Sequence, residues 1–229
     1  MSEAVFLITG ASSGIGAETA RHAVAEGWRV VLAARSRERL AELQEELGGP
    51  ERALAVACDV TDPEAQAAVV DQALKTFGGI DAVFANAGIG GSPGGFSEAD
   101  PERWREMILT NVYGVGLTIQ ATLPALRESR GHLLLMGSAA GRATIPGSMY
   151  GATKWAVTGM GHNVREELRG SGIRVTLIEP GVVDTPFFEE TPDQHMLPED
   201  IARAVLYAIR QPQRVDLNEI LVRPTPPRD

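Results

Sequence analysis

Tyr150 and Lys154 stand four residues apart in GSMYGATKWAV (147–157), a segment otherwise rich in Gly, Ala, Ser and Thr. On a helix that spacing puts the phenol and the ammonium on one face, one turn apart. A free phenol has a pKa near 10, so acting as a base near neutral pH requires a fall of about 3 pH units, roughly 4 kcal/mol. A nearby cation favours the phenolate and supplies much of that. The small residues around the pair leave room for a bound molecule and for a neighbouring helix. Ser138 ends an apolar run and carries a hydroxyl able to hold a substrate oxygen beside Tyr150. Asn111 falls inside a long helical pattern, where an asparagine competes with the backbone and is otherwise unfavourable. Singly, such residues are packing, solvated or capping groups; jointly they form a candidate proton-transfer set.

The elements that must position this set can be read along the chain. Apolar runs at 4–9, 29–34, 53–58, 80–86, 131–138, 173–179 and 218–222 alternate with helical patterns near 14–26, 37–47, 63–77, 101–127, 148–170 and 199–210. Most of the runs are continuously hydrophobic, as expected of parallel strands covered on both faces. Repeated strand–helix units predict an α/β fold, a doubly wound sheet with helices on both faces, and one domain over 1–229. Gly/Pro-rich segments at 87–95 and 180–198 each follow a predicted strand, where open α/β sheets form their ligand crevice.

The first strand runs into TGASSGIG (9–16). Gly10, Gly14 and Gly16 allow a tight turn and close approach to a pyrophosphate at the following helix N-terminus. The spacing differs from G-x-G-x-x-G; its position between a buried strand and an amphipathic helix is what makes it a nucleotide-binding turn. At the end of the second strand, where an acid would hold a ribose 2′-hydroxyl, the chain reads Ala34-Arg35. A guanidinium forks onto phosphate oxygens, and Ser12 and Ser36 add hydroxyls, so NADP(H) is expected over NAD. The other reading of Arg35-Ser36 is a solvated arginine before a helix cap.

Of 229 residues, 44% are hydrophobic, enough for a substantial core. The net charge of −9 and pI near 5.0 argue against nucleic acid or an anionic membrane as partner. The N-terminus lacks a signal-peptide pattern, and no apolar run is long enough to span a bilayer, so a cytoplasmic location is expected. Cys58, the single cysteine, reads as a core thiol. His22, His132, His162 and His195 show no ligand spacing, and no metal is expected.

In chain order, TGASSGIG, Asn86-Ala87-Gly88, Asn111 in TNVYG, Ser138 and Tyr150–Lys154 in YGATK resemble the short-chain dehydrogenase/reductase family over essentially the whole chain. The C-terminal PEDIARAVLYAIRQP and LNEILVRPT resemble NADP-dependent carbonyl reductases and 3-hydroxy acid dehydrogenases of that family. The resemblance implies a seven-stranded Rossmann-type sheet and hydride transfer between NADP(H) and a small carbonyl or alcohol. It implies cofactor contacts from Gly10, Ser12, Ser13, Gly14, Ile15, Gly16, Arg35, Asp59, Val60, Asn86, Ala87, Gly88, Tyr150 and Lys154. Pro180, Gly181, Val183 and Thr185 match the nicotinamide-side loop. In the catalytic set Tyr150 exchanges the proton, Lys154 lowers its pKa and holds the ribose, Ser138 binds the substrate oxygen, and Asn111 supports a water chain from Lys154.

Further expectations concern the substrate and assembly. Phe187, Phe188 and Met196 read as an apolar lid, and Ile89, Phe96 and Met149 as pocket lining, with simple anchoring as the plainer alternative. Arg142 reads as a surface arginine, a substrate carboxylate being its other candidate partner. Ala152, Ala156, Gly159 and Asn163 form a small-residue stripe between Trp155 and Met160. With the family's helix pairing, it implies a homodimer or homotetramer. Two other functions fit the same motifs: a 3-oxoacyl-thioester reductase and a non-catalytic NADP sensor.

Overall fold

The computed structural model describes residues 3–91, 93–188, 190 and 192–226. Ser92, Glu189 and Thr191 of the two predicted crevice loops lie outside the described residues, as do the two ends of the predicted 1–229 unit. Seven strands, β1 (Val5–Thr9), β2 (Arg29–Ala34), β3 (Ala53–Ala57), β4 (Ala82–Ala85), β5 (His132–Met136), β6 (Arg174–Pro180) and β7 (Glu219–Val222), form one sheet in the order β3-β2-β1-β4-β5-β6-β7. All pairings are parallel. The chain leaves β1 in one direction and returns at β4 to run in the other, so the crevice opens between their C-terminal ends.

Alternation along each strand divides the core between two faces. Val5 and Leu7 of β1 pack with α3 (Pro63–Phe77), α6 (Gly114–Ser129) and α7 (Met149–Glu167). Phe6 and Ile8 pack with α1 (Gly14–Ala25), α2 (Arg37–Glu46) and α8 (Pro198–Ile209). The helix starts follow their sequence signals. Asp62 accepts from the amides of Glu64 and Ala65 ahead of Pro63, and Asp200 accepts from the Leu197 amide around Pro198. Cys58 is buried, and burial pushes its thiol up to about 11, leaving it unreactive at neutral pH.

The helix predicted over 101–127 is interrupted. α4 (Gly95–Glu98) precedes α5 (Pro101–Ile108), and one turn of π-helix, Leu109–Tyr113, joins α5 to α6. Periodicity cannot show one inserted residue within a continuous helical run, and π turns of this kind gather at functional sites. Asn111 lies in it.

At the other end of the sheet, His132 is 1% exposed and its Nε2 lies 2.7 Å from Thr176 Oγ1. That hydroxyl donates to the Leu217 carbonyl at 2.5 Å, so the imidazole donates from Nε2. Burial, with the nearby Arg174 guanidinium, lowers its pKa to about 3. An unfolded imidazole titrates near 6.5, so stability is full above that pH and is lost as pH falls toward 3. This one group should remove about 2 kcal/mol between pH 7.5 and pH 5. His132→Gln, which keeps a donor toward Thr176, should lose that portion of the acid sensitivity when urea unfolding is compared at the two pH values. An unchanged difference between the two would refute it.

Candidate active site

The turn after β1 is shaped by contacts as much as by conformation. Gly10 has φ +65, and a Cβ there would sit 2.8 Å from Ala87 Cα. A Cβ at Gly16 would meet the Gly10 carbonyl oxygen at 2.5 Å, so any larger residue would push α1 off the turn. Ser13 caps α1 without a side-chain hydrogen bond, leaving the first-turn amides turned to the crevice. Asn86 ties the split in the sheet together. Its Nδ2 donates to the Thr9 carbonyl at 2.8 Å, while Thr9 Oγ1 accepts from the amides of Asn86 and Ala87.

From this turn a cleft of ≈ 1990 Å³ runs over the strand ends. Drug-sized ligands occupy sites of about 300–1,000 Å³, so this one has room for a dinucleotide and a second molecule. Gly10, Ser12, Ser13, Gly14, Ile15, Arg35, Asp59, Val60, Asn86, Ala87 and Gly88 line it, together with Pro180, Gly181, Val183 and Thr185. Gly16 lies behind the wall, packed on Gly10 and Asn86. Ser36 Oγ accepts from the Arg39 amide at 3.5 Å, so that serine is a helix cap as well as a lining residue. Arg39, four residues from Arg35, lines the same end of the cleft. Spacing alone does not bring it there, because Arg35 lies before the helix cap and Arg39 in the first turn of α2.

Ser138, Tyr150 and Lys154 meet at the opposite end. Ser138 follows β5, caps the short turn Ala139–Gly141, and hydrogen-bonds Tyr150. Tyr150 and Lys154 lie in the first turns of α7, capped by Ser148. Lys154 is buried and its Nζ donates to the Met136 carbonyl at 2.8 Å, 5.7 Å from the Tyr150 ring centroid. Burial lowers the ammonium to about 8. The same surroundings push the phenol up to about 12, against the hydrogen bond from Ser138. The sequence reading expected the opposite direction for Tyr150. In this arrangement desolvation of the phenolate wins, because Lys154 is directed at a carbonyl rather than at the phenol oxygen.

Asn111 is fully buried and spans three segments. Its Oδ1 accepts from the Ile89 amide and its Nδ2 donates to the Ile89 carbonyl, both at 2.8 Å. Nδ2 also reaches Thr153 Oγ1 at 3.1 Å, and that hydroxyl donates to the Tyr150 carbonyl. Asn111 thus fastens the loop after β4 to the first turn of α7. Thr153 is a positioning residue that sequence alone did not single out, since its hydroxyl is used only across the fold.

Three other expectations need correction. Arg142 does not face the cleft; it pairs with Glu179 at 2.7 Å and with Glu219, holding the turn after Ser138 against β6 and β7. Glu179 is 1% exposed and requires that cation. Met196 is no lid; it is buried and exchanges backbone hydrogen bonds with Val182 and Asp184. Phe96 lies 61% exposed against Trp104 and does not line the cleft. Phe187 and Phe188 do line it, with Ile89 and Met149. Among the described residues no three His, Cys, Asp or Glu are grouped to hold a metal, and no helix is long and apolar enough to cross a membrane.

Known proteins share the sequence pattern and the overall fold. The family model of the short chain dehydrogenases matches residues 4–195. An uncharacterized oxidoreductase of Staphylococcus saprophyticus is 38% identical, with 98% of each chain covered. Among solved structures, an alcohol dehydrogenase from the archaeon Thermococcus sibiricus is 31% identical, with 99% of each chain covered and a TM-score of 0.89. A 3-ketoacyl-(acyl-carrier-protein) reductase from Brucella melitensis is 30% identical, covering 97% of this chain and 98% of that one, also at 0.89. The family match over residues 4–195 and the identity to these relatives agree: the chain belongs to the short-chain dehydrogenase family and is an oxidoreductase.

Proposed function

We propose that the protein transfers a hydride between NADP(H) and a small carbonyl or alcohol, with Tyr150 as proton donor and acceptor. The convergence of Ser138, Tyr150 and Lys154 at one end of a cleft that begins at a phosphate-binding turn carries this reading. The turn fits the nucleotide: its glycines leave no space for a Cβ at Gly10 or Gly16, and the amides at the start of α1 are uncapped by a side chain. The nicotinamide, when bound, supplies or accepts the hydride. Ser138 hydrogen-bonds the substrate oxygen and Tyr150 gives it a proton in reduction. A phenol held near 12 rests protonated at neutral pH, as an acid must. For oxidation the phenolate is needed, and Lys154, still charged below about 8, is the group that favours it. Asn111 holds the segments that a proton route from Lys154 to solvent has to cross.

Arg35 and Arg39 at the adenosine end support NADP(H) over NAD(H). The Thermococcus enzyme is complexed with 5-hydroxy-NADP and the Brucella reductase with NADH, so relatives take either nucleotide. Arg35→Ala should raise KM for NADPH about 10- to 100-fold with little change for NADH. A parent enzyme that prefers NADH would refute this. The general test follows consumption of both nucleotides across aldehydes, ketones, hydroxy acids and 3-oxo thioesters. Turnover confined to thioesters would instead establish the 3-oxoacyl reductase.

Assembly as a homodimer or homotetramer and a cytoplasmic location belong to the same reading. Ala152, Gly159 and Asn163 are exposed, beside Trp155 at 50%, and Ile108 and Tyr113 extend the apolar surface. Light scattering on the purified chain reads the copy number directly.

A further inference from the structure

Phe187 lies across the substrate end of the cleft. A Cβ placed on Gly90 would fall 2.0 Å from the ring's Cζ, so the ring is seated where only glycine leaves room. Its centroid is 5.3 Å from that of Tyr150, edge to face, and 5.1 Å from that of Phe188. Ile89, Ile145 and Met149 line the cleft with it. This is an apolar wall made of flat groups, set directly against the phenol.

The charges around it are all accounted for. Lys154 is buried and hydrogen-bonded to Met136. Arg142, the arginine of the turn after Ser138, is held by Glu179 and Glu219. Among the described lining residues, the other cations are Arg35 and Arg39 at the adenosine end and Arg103, which pairs with Glu106. Glu98, Asp100 and Glu190 also line the cleft and contribute negative charge. A carboxylate on a substrate would lose its hydration here and find no uncommitted cation near Tyr150.

We infer that Phe187, seated over Gly90, sets the substrate class: neutral aldehydes and ketones bearing an aryl or other flat apolar group, rather than oxo or hydroxy acids. An aromatic group beside Tyr150 gains the edge-to-face contact that Phe187 offers, and a neutral one leaves no buried charge unpaired. The inference deepens the proposed function and rests on it for the chemistry at Tyr150.

Two measurements on the full chain test it. Calorimetry on the NADP⁺-saturated protein compares benzamide with benzoate, reading the pocket without turnover. Benzamide should bind at least about tenfold more tightly. The ratio of kcat/KM for benzaldehyde to that for propanal should fall about tenfold or more in Phe187→Ala. It should fall likewise in Gly90→Ala, whose new methyl displaces the ring. Tighter benzoate than benzamide, or an unmoved ratio in both variants, overturns the inference. Benzamide binding without reduction of any carbonyl would support the pocket assignment while removing the proposed function. Oxo-acid reduction with tight benzoate binding would do the reverse.

Discussion

Replacing Tyr150 by phenylalanine should cut kcat by about 10²- to 10⁴-fold, the range attributed to a positioned general acid. NADPH affinity should stay within about threefold, since the loss lies in the proton-transfer step. The substitution isolates the hydroxyl. The ring remains to face Phe187, and Thr153 still accepts from Asn111 and donates to the backbone carbonyl of residue 150. Single-turnover reduction and NADPH fluorescence titration separate the two quantities. Unchanged turnover would sink the mechanism. A parent protein that binds NADPH tightly but reduces no carbonyl on a broad panel would instead be a sensor built on an oxidoreductase fold.

Lys154→Met should make the protein more stable and much less active. The ammonium is 4% exposed, and burial brings it from the ordinary 10.5 to about 8. The unfolded chain therefore holds this proton more tightly than the folded one. The penalty is complete below pH 8 and fades as pH rises toward 10.5. Over that gap the penalty is about 3 kcal/mol, and loss of the hydrogen bond to Met136 offsets about 1 kcal/mol. Urea unfolding at pH 7 should show a gain of about 2 kcal/mol, shrinking to near zero at pH 10. Turnover should drop about 100-fold or more through loss of the cation that favours phenolate. A variant less stable than its parent at pH 7 would show that Lys154 holds the fold together rather than straining it.

Much of this site could be read before the structure because its signals are local. A glycine turn after an apolar strand, Tyr150 and Lys154 one turn apart, and Pro with an acid at a helix start all act over a few residues. Strand and helix periods are equally local, and they yielded the seven strands and the doubly wound class. The helix ends moved by at most three residues, apart from the long pattern over 101–127. There Asn111, inside the π turn at Leu109–Tyr113, hydrogen-bonds Ile89 and Thr153, partners far away in the chain that periodicity does not register.

Where side chains act across the fold, sequence left alternatives open and packing chose among them. Arg142 had a substrate carboxylate as one candidate partner; the buried carboxylate of Glu179 and the edge-strand Glu219 took it. Met196 and Phe96 were apolar residues in loops, equally suited to a pocket or an anchor. One joined the core beside Val183, the other met Trp104 edge to face. The direction of the Tyr150 shift turned on where a lysine Nζ points, which spacing along a helix does not determine. The sequence by itself determined the chemical inventory, the family resemblance and the order of the elements. Tertiary structure decided which partners those groups have and which are dehydrated, because desolvation and hydrogen bonding depend on neighbours that only the folded chain brings together.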